Sequence, residues 1–363
     1  MENECKKEIE RIEEKMTERP LATIQRISKI EPIENADLIE VATILGWHCV
    51  VKREEFKVGD LCVYCEVDSL LPEKPEFEFL RKNCFIDRED MRGFRIRTVR
   101  LKGQVSQGIC FPLETVIGVP LDGLPEFHEG DDLTEFLGIK KWESKISLGM
   151  GGKIKGSFPG FIPKTDETRI QSIPDLLERH NGTYCYVTEK VDGSSCTVFL
   201  KDGEIGVCSR NMWMQDTEEN VFWATAKKMD LEGKMKSVLG EGNWALQGEL
   251  LGPGLQGNKY GLKGNKILWF NVFNVDTYKY LDFEDFNNLI GNMGLETVPF
   301  IGKFILNNTV DELVEMSKGK SLLDDKIHRE GIVIRPCEEK EDKKLGRVSF
   351  KVINPDFLLK FGE

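Results

Sequence analysis

Six short runs of β-branched and apolar residues follow one another between residues 21 and 117. The runs read LATIQRI, LIEVATI, HCVVKR, LCVYCEVD, FRIRTVRL and GICFPL, and turn-forming stretches such as EPIENAD and FKVGD lie between them. Short runs of this kind, bounded by turn signals, are typical of β-strands. Five or six strands in about 100 residues predict a small β-barrel in this part of the chain.

A barrel of this size suggests an oligonucleotide-binding (OB) fold, which carries nucleic acid on one face of its strands. The segment 91–103 supports that interpretation, because it contains five basic residues and no acid: Arg92, Arg95, Arg97, Arg100 and Lys102. Arg95 and Arg97 alternate with apolar residues and should share one face of a strand. The alternative is a charged edge strand that discourages aggregation. The residues alone do not decide between these two interpretations. In the first of them, the candidate RNA-binding residues are Arg95, Arg97, Arg100 and Lys102.

Composition limits the class of protein. The net charge of −12 argues against indiscriminate nucleic-acid binding, although a local basic groove remains compatible with it. No run of about 18 apolar residues is present, so no membrane span is expected, and the first residues do not form a secretory signal. Ten cysteines occur without framework spacing, and the only close pair, Cys62 and Cys65, lies in a predicted strand. Free thiols in this number predict a reducing, intracellular and cytoplasmic location.

The chain is expected to contain four segments and an α+β fold. Residues 1–19 are predicted to be a charged helix or tail, and residues 20–120 the OB-like domain. Residues 121–165 contain many Gly and Pro residues and are predicted to be a linker or ordered loop. Residues 166–363 alternate predicted strands with short helices and are expected to form a second domain of antiparallel sheets and helices.

The first candidate catalytic motif of the second domain lies in the stretch YVTEKVDGSSCTVFL, residues 186–200. Lys190 ends a predicted strand, and Asp192-Gly193 follows at once. A lone Lys-x-Asp-Gly is weak evidence for a catalytic site, because the pattern occurs by chance in many chains of this length. Its meaning depends on five later segments, which occur in the order CSRN, LQGELLGPGLQGN, LWFNVFNV, HREGIVIRP and SFKVIN.

Together these segments resemble motifs I, Ia, III, IIIa, IV and V of the covalent nucleotidyltransferases, the superfamily of ATP-dependent DNA and RNA ligases and mRNA capping enzymes. With an OB-like domain ahead of the core, the chain is most similar to RNA ligase family 5. The resemblance covers residues 20 to 360. It implies an ATP-grasp-like ligase core, an adenylyltransferase domain at residues 166–363, and the use of ATP and of Mg²⁺ or Mn²⁺.

The resemblance makes Lys190 the nucleophile that takes AMP from ATP as a phosphoramidate. A lysine is protonated at neutral pH, and the nearby Asp192 would stabilise that ammonium form. Positive charge from a divalent cation, together with Lys351, is therefore expected to favour the neutral amine. Lys351 would also neutralise charge on the α-phosphate, and Asp192 would serve later steps or hold the hydrated metal.

Further roles follow from the same resemblance. Arg210 would contact a phosphate or the RNA end, and Glu249 the ribose hydroxyl. Phe270 would stack on adenine while Trp269 enters the core, unless the strand register is shifted by one, in which case they exchange roles. The expected metal ligands are Glu330 and Asp192, through water or directly. The remaining members of the predicted ATP site are Glu189 and Arg169.

The chain departs from the family pattern at two positions. Some related RNA ligases carry a second lysine in motif V, where this chain has Ile353, and some carry Asn where it has Ser195. The residue that replaces the second lysine in function is therefore unassigned, and so is the residue that binds the RNA end in place of Asn.

The resemblance thus implies an ATP-dependent RNA ligase that joins 3′-OH and 5′-PO₄ RNA ends in RNA repair, and we expect a monomer. Capping enzymes and DNA ligases normally carry an OB domain after the core, and only a short stretch follows SFKVIN here, which argues against both. The alternative from another class is a non-catalytic RNA-binding protein with an OB domain and a degenerate ligase core.

Overall fold

The computed structural model describes residues 19–117, 127–142, 154–240 and 242–362. Its contacts divide the chain into two compact units, Met1–Ser144 with Phe361–Glu363, and Lys145–Lys360. The helix predicted at residues 1–19 lies, except for Arg19, outside the described residues. Among the helices of the described ranges, none is long and apolar enough to cross a bilayer.

The first unit is built mainly from antiparallel strands. Its five-stranded sheet has the order β10-β4-β1-β2-β3, a second sheet has the order β11-β5-β7-β6, and β8 and β9 form a separate hairpin. The strands are β1 (Ala22–Pro32), β2 (Ile39–Ile44), β3 (Trp47–Lys52), β4 (Leu61–Cys65), β5 (Ser69–Leu71), β6 (Phe85–Arg88), β7 (Met91–Arg95), β8 (Val99–Leu101), β9 (Gln104–Ser106), β10 (Ile109–Pro112) and β11 (Lys140–Lys141). Short helices are the 3₁₀ turn Pro75–Leu80, α1 (Arg81–Cys84), α2 (Leu113–Ile117) and α3 (Thr134–Leu137).

The long strand β1 curls the first sheet. Its first half pairs with β4 and its second half with β2, and the register shifts between Ile27 and Lys29. A bulge of this kind bends a strand and increases its twist. Ile24 and Ile27 are three positions apart and so lie on opposite faces of β1, where Ile24 packs in one apolar core and Ile27 in another. The predicted succession of short strands is therefore observed, with β1 shared between two halves of the barrel-like sheet.

The arginine strand predicted across residues 94–101 is not one strand. Strand β7 ends at Arg95, whose side chain is 13% exposed, pairs with Asp68 at 3.1 Å and lies 4.6 Å from the ring centre of Trp142. Arg97 donates to the carbonyl of Asn83 at 3.0 Å. The two arginines therefore do not form one open cationic face of a strand, because Asp68 and Trp142 engage Arg95 and Arg97 lies beyond the end of β7. Arg100 and Lys102 lie on the exposed β8–β9 hairpin.

The segment predicted as a linker, residues 121–165, divides between the two units where it is described. Leu133, Leu137 and Ile139 are buried in the core of the first unit, and β11 pairs with β5. Residues 154–157 instead form an edge strand of the second unit. The Gly- and Pro-rich composition concealed these apolar anchors, which are too few to produce a periodic pattern.

The second unit combines two sheets with helices. A seven-stranded sheet has the order β12-β17-β16-β15-β18-β19-β20, and a five-stranded sheet the order β13-β25-β22-β14-β21. The strands are β12 (Ile154–Ser157), β13 (Thr168–Arg169), β14 (Tyr184–Lys190), β15 (Ser194–Lys201), β16 (Glu204–Cys208), β17 (Met212–Met214), β18 (Trp244–Leu251), β19 (Lys266–Asn274), β20 (Lys279–Tyr280), β21 (Phe300–Ile305), β22 (Gly331–Pro336), β23 (Glu341–Asp342), β24 (Gly346–Arg347) and β25 (Phe350–Ile353).

The helices of the second unit cover the sheets. They are α4 (Asp175–Arg179), α5 (Val221–Lys228), α6 (Leu231–Leu239), α7 (Phe283–Asn292), α8 (Val310–Ser317) and α9 (Pro355–Phe361), with 3₁₀ turns at Ile170–Ser172 and Gln256–Asn258. Helices α5, α6 and α7 bury apolar residues against the seven-stranded sheet, and α4 and α8 against the five-stranded sheet. Thr309 forms a capping box with Glu312 at the start of α8, as its sequence position predicts.

The chain passes between the two sheets at Lys190. Strand β14 belongs to the five-stranded sheet and β15 to the seven-stranded sheet, so residues 191–193 are the crossing. A small apolar cluster there contains Val191 from the crossing, Leu251 from the end of β18 and Val298 from the segment before β21. The crossing therefore places the predicted nucleophile where strand ends from both sheets meet.

Candidate active site

Lys190 lies at the end of β14 and its ammonium group is held by a carboxylate. Its Nζ donates to both oxygens of Glu330, each at 2.7 Å. Glu330 directly precedes β22, and Gly331 pairs with Lys190 across the sheet. Strand pairing thus brings together two residues that lie 140 positions apart in the chain.

The charges around Lys190 decide its protonation. Burial lowers the pKa of the ammonium, but the carboxylates of Glu330 and Glu249 outweigh burial and leave the pKa raised. The Lys190 side chain retains 26% exposure, so solvent screens part of this effect. In this arrangement the amine is protonated, and an ammonium group is not nucleophilic.

Asp192 is held by a residue that sequence patterns did not indicate. Lys259 donates to its carboxylate at 2.5 Å, and both side chains are less than 15% exposed. The Asp192 backbone N–H donates to the Tyr260 hydroxyl oxygen at 2.8 Å. Burial and Glu330 raise the pKa of Asp192, and Lys259 opposes them. The loop that carries Lys259 and Tyr260 follows the LQGELLG segment and contains no pattern that would mark either residue as a partner of Asp192.

Glu249 faces the same cluster from β18. Burial raises its pKa to about 8, Lys190 opposes this, and the negative charges of Glu330 and Asp192 add to it. Gly193 makes this approach possible, because a Cβ there would lie 2.9 Å from the Glu249 Cγ and 2.6 Å from the Leu250 carbonyl oxygen. The glycine after Asp192 is therefore required by close packing of the crossing against β18.

Lys351 and Arg169 supply positive charge on the neighbouring strands. They pair in register where β13 runs parallel to β25. Burial, Lys190 and Arg169 lower the pKa of Lys351 to about 7. A half-buried lysine with a pKa near 7 is partly neutral at physiological pH, and it binds a proton readily when an anion arrives.

Phe270 and Trp269 take different environments. Trp269 is fully buried in the core under helices α5 to α7, whereas Phe270 is half-buried against the small cluster that contains Val191. The register shift between Gln247 and Gly248 leaves Phe270 as the extra residue of a β-bulge. Bulges re-aim side chains, and this one leaves Phe270 on the side of the crossing.

Glu189 does not present its carboxylate to the Lys190 cluster. Its side chain is buried and accepts hydrogen bonds from the Ser321 hydroxyl at 2.5 Å and the Leu322 N–H at 2.7 Å. Successive side chains of a strand point to opposite faces, so Glu189 turns away from Lys190. In this structure the Glu189 carboxylate therefore contacts the segment after α8, and its predicted contact with ATP stays a prediction.

Arg210 follows β16 and pairs with Asp166 at 2.7 Å, with about half of its side chain exposed. Asp166 also contributes to the charge around Lys351, which places Arg210 beside the positive side of the cluster. Nearby, the hydroxyls of Thr165 and Ser195 are hydrogen-bonded at 2.8 Å, and Ser195 pairs with Glu249 across the strands.

The carboxylates suit a hydrated divalent cation. Over the described ranges, no group of three or more His, Cys, Asp or Glu side chains is placed to hold a metal directly. Mg²⁺ keeps several waters and often uses one or two carboxylates together with substrate phosphates. Glu330 and Asp192 fit that kind of site, since each carboxylate is partly buried and already engages a cation, Lys190 or Lys259.

Comparison with protein-family models matches residues 21–113 to an OB-fold domain and residues 183–353 to RNA ligase. These matches confirm the fold class predicted from sequence, an OB-like domain followed by a ligase core. Comparison with curated proteins gave no match.

Solved structures of a Naegleria gruberi RNA ligase resemble the whole chain. A variant with ATP and Mn is 38% identical, has a TM-score of 0.86, and is matched over 95% of this chain and 100% of that chain. The ligase with PPi is 38% identical with a TM-score of 0.84, over 94% and 98% of the two chains. A variant with AMP and Mn gives the same four values, 38%, 0.84, 94% and 98%.

Proposed function

This chain belongs to the RNA ligase family, and from that premise we propose that it joins 3′-OH and 5′-PO₄ RNA ends with ATP through a lysyl-AMP. The observation that carries the proposal is the Lys190 amine, held at 2.7 Å by Glu330 in a cluster that also contains Glu249, Asp192 and Lys351. A surface lysine needs no such surroundings. The Naegleria ligase structures with ATP, AMP and PPi support ATP as the co-substrate.

The reaction has three phosphoryl transfers. The Lys190 Nζ forms a bond to the α-phosphorus of ATP, the bond to the β-phosphate bridging oxygen breaks, and pyrophosphate leaves. The 5′-phosphate of one RNA end then attacks the same phosphorus and releases the Lys190 amine, which gives an adenylylated end. The 3′-hydroxyl of the other end loses its proton, attacks the RNA 5′-phosphorus and expels AMP. Positioning and charge neutralisation dominate such steps.

Activation of Lys190 requires its separation from Glu330. A divalent cation at Glu330 and Asp192 supplies positive charge that favours the neutral amine and neutralises phosphate. The structures of the Naegleria ligase with Mn support this use of a metal. Within the chain, Lys351 and Arg169 add positive charge from β25 and β13, where the α-phosphate is expected.

The remaining groups of the site orient the substrates. Phe270, beside the crossing, is the proposed stacking partner of adenine, and Glu249 the proposed acceptor for a ribose hydroxyl. Arg210 is placed to contact the RNA end. In the first unit, Arg100 and Lys102 on the β8–β9 hairpin, with Arg97, are the proposed RNA contacts. Arg95 is better explained as structural, because Asp68 and Trp142 already engage it.

Two assays test the proposal. The protein is incubated with α-³²P-ATP and Mg²⁺ or Mn²⁺ and resolved on a denaturing gel, and it is then given a nicked RNA duplex with 3′-OH and 5′-PO₄ ends. Covalent label followed by a joined strand is the expected result. Label from GTP alone would indicate a capping enzyme. RNA binding without label from either nucleotide would favour the non-catalytic RNA-binding protein. We place the activity in intracellular RNA repair by a monomer.

Lys351 gives a pH-dependent prediction. Its pKa of about 7 means that it is largely neutral at pH 8 in the ligand-free site, and a bound triphosphate would raise that pKa. Binding of an ATP analogue with a methylene α,β-bridge should therefore take up a proton at pH 8, and its affinity should fall between about pH 7 and pH 9. Calorimetry in two buffers of different ionisation enthalpy measures the uptake.

Two variants of Lys351 separate the loss of its positive charge from the loss of its titration. Lys351→Met should bind the analogue about tenfold more weakly and take up no proton, whereas Lys351→Arg should bind it without uptake because the guanidinium is already charged. Unchanged proton uptake in Lys351→Met would assign the proton to another group.

Lys259 gives a prediction about Asp192. Lys259→Met removes the cation that opposes the raised pKa of Asp192 and releases its carboxylate. We expect self-adenylylation to slow about tenfold and to need a higher Mn²⁺ concentration for half-maximal rate, as for outer partners of metal ligands. Lys259→Arg should recover part of both. The control is Lys266→Met, which breaks a surface pair with Glu296 at 2.8 Å. An unchanged Mn²⁺ dependence in Lys259→Met would mean that Lys259 does not act through Asp192.

A further inference from the structure

A groove lies along one edge of the seven-stranded sheet, and its lining contains none of the residues that surround Lys190. It has a volume of about 560 Å³ and lies at the border of β12 and β17, where Ile154, Lys155, Trp213 and Trp223 line it. A second hollow of about 330 Å³ on another side of Trp213 is lined by Phe161 and neighbouring residues. Trp213 borders both and separates them.

Three aromatic side chains in this place pack edge to face. Phe199 lies between Phe161 and Trp213, with ring centres 5.3 Å apart on each side and interplanar angles of 87° and 66°. Phe199 is buried, whereas Phe161 and Trp213 are half-buried. Phe199 therefore fixes the two outer rings, each of which keeps part of its surface in contact with solvent.

A lysine covers the indole. The Nζ of Lys155 lies 4.0 Å from the ring centre of Trp213, and the Lys155 side chain is exposed. Across the ranges that the structure describes, no carboxylate is paired with Lys155. The rim carboxylates of Asp202 and Asp216 are each paired, with Lys201 and Lys227 respectively, which leaves Glu204 as the remaining acid in the lining. A flexible cation can leave the indole for a phosphate while the ring stays in place.

The groove is tied to the turn that carries Arg210. Ser209 N–H donates to the Met212 carbonyl at 2.9 Å, and Phe158 N–H donates to the Asn211 carbonyl at 3.0 Å. Arg210 and Trp213 are three residues apart, so their Cα atoms lie within about 11 Å of each other. A nucleic-acid strand that contacts Arg210 can therefore reach the groove within a few nucleotides.

We propose that this groove binds an unpaired segment of the RNA substrate, with one base stacked on Trp213 and Lys155 on an adjoining phosphate. The inference rests on the proposed function and extends it to a second RNA contact. Sites for single strands combine aromatic faces with cations that follow the backbone, and that combination is found here. The open groove with mixed polar and apolar lining does not suit a small apolar ligand, which prefers an enclosed pocket.

The test compares the two edges of the same sheet. Trp213→Ala and Lys155→Glu change the groove, and Tyr278→Ala and Lys279→Glu change an exposed aromatic and an exposed lysine next to and on β20, the opposite edge. Fluorescence anisotropy measures the Kd of a labelled 5′-phosphorylated single-stranded RNA. We expect Kd to rise about tenfold in Trp213→Ala, since stacking of a base on an aromatic ring carries an effect of that order. Lys155→Glu should raise Kd severalfold, and both controls should match the wild type.

Two further measurements make every outcome informative. Self-adenylylation, which needs no RNA, reports whether each variant is folded and whether the proposed function holds. If wild type takes label but Trp213→Ala and Lys155→Glu bind RNA like the controls, the groove proposal is wrong and the ligase proposal stands. If Trp213→Ala does not fold, crosslinking of 4-thiouridine RNA to wild type decides, because the crosslinked peptide must contain Trp213. A crosslink that maps only elsewhere overturns the proposal.

Discussion

Lys190→Ala is expected to abolish covalent transfer of label from α-³²P-ATP, a loss of at least about 10³-fold, because it removes the amine that is proposed to form the phosphoramidate. Lys190 donates to both oxygens of Glu330, and the Glu249 carboxylate also raises the pKa of its amine. Lys351, the next candidate, pairs with Arg169 on another strand and has its own proposed role at the phosphate. The measurement is a denaturing gel of wild type and variant at equal concentration in Mg²⁺ and in Mn²⁺.

The matched control is Lys303→Ala. Lys303 lies on β21, which neighbours β14 in the same sheet, and it pairs with the carboxylate of Glu284 at 2.5 Å. Loss of label in both variants would point to unfolding, which circular dichroism would show. Label that remains in folded Lys190→Ala would place the bond on another residue, and mass spectrometry of the labelled peptide would identify it.

Glu330→Gln separates two effects that act in opposite directions. The Glu330 carboxylate raises the pKa of Lys190, so its loss by itself would free the amine and speed adenylylation near neutral pH. The same carboxylate is the proposed holder of the divalent cation that neutralises the triphosphate. We expect the second effect to dominate and the rate to fall about 10²-fold or more, because stabilisation of charge in the transition state is usually the larger contribution.

The measurement is the single-turnover rate of adenylylation against pH and against Mn²⁺ concentration. Glu338→Gln is the control, since Glu338 is exposed just beyond the other end of β22. A faster reaction in Glu330→Gln would show that the Lys190–Glu330 pair only restrains the amine. A slow reaction that high Mn²⁺ restores would show that Glu330 acts through metal affinity alone.

Local pattern was sufficient for many of the strands. Five of the six predicted strands of the first unit appear near their predicted positions, and the hairpin turn at Asp202-Gly203 has positive φ at both residues, as such turns require. Alternation also placed Trp269 in the core. These features depend on neighbours within a few residues, which the sequence displays directly.

Pattern failed where a distant partner determines the outcome. Alternation suggested an open basic face with Arg95, but Asp68 and Trp142 engage it. The carboxylate of Glu189 likewise takes its partners, Ser321 and Leu322, from a distant segment that no local pattern indicated, while its predicted contact with ATP stays a prediction. A periodicity argument cannot identify these partners, because they come from turns and loops that are distant in the sequence.

By itself, the sequence determined the class of the fold, and the order of its motifs singled out Lys190 as the proposed nucleophile. Only the tertiary structure decided which charges meet. Lys190 and Glu330 are 140 residues apart and Asp192 and Lys259 are 67 apart, yet each pair lies within hydrogen-bonding distance. The physical reason is that charge pairing and burial depend on distance in space, which strand pairing between remote segments sets, and these contacts decide whether the lysine is an ammonium or a nucleophile.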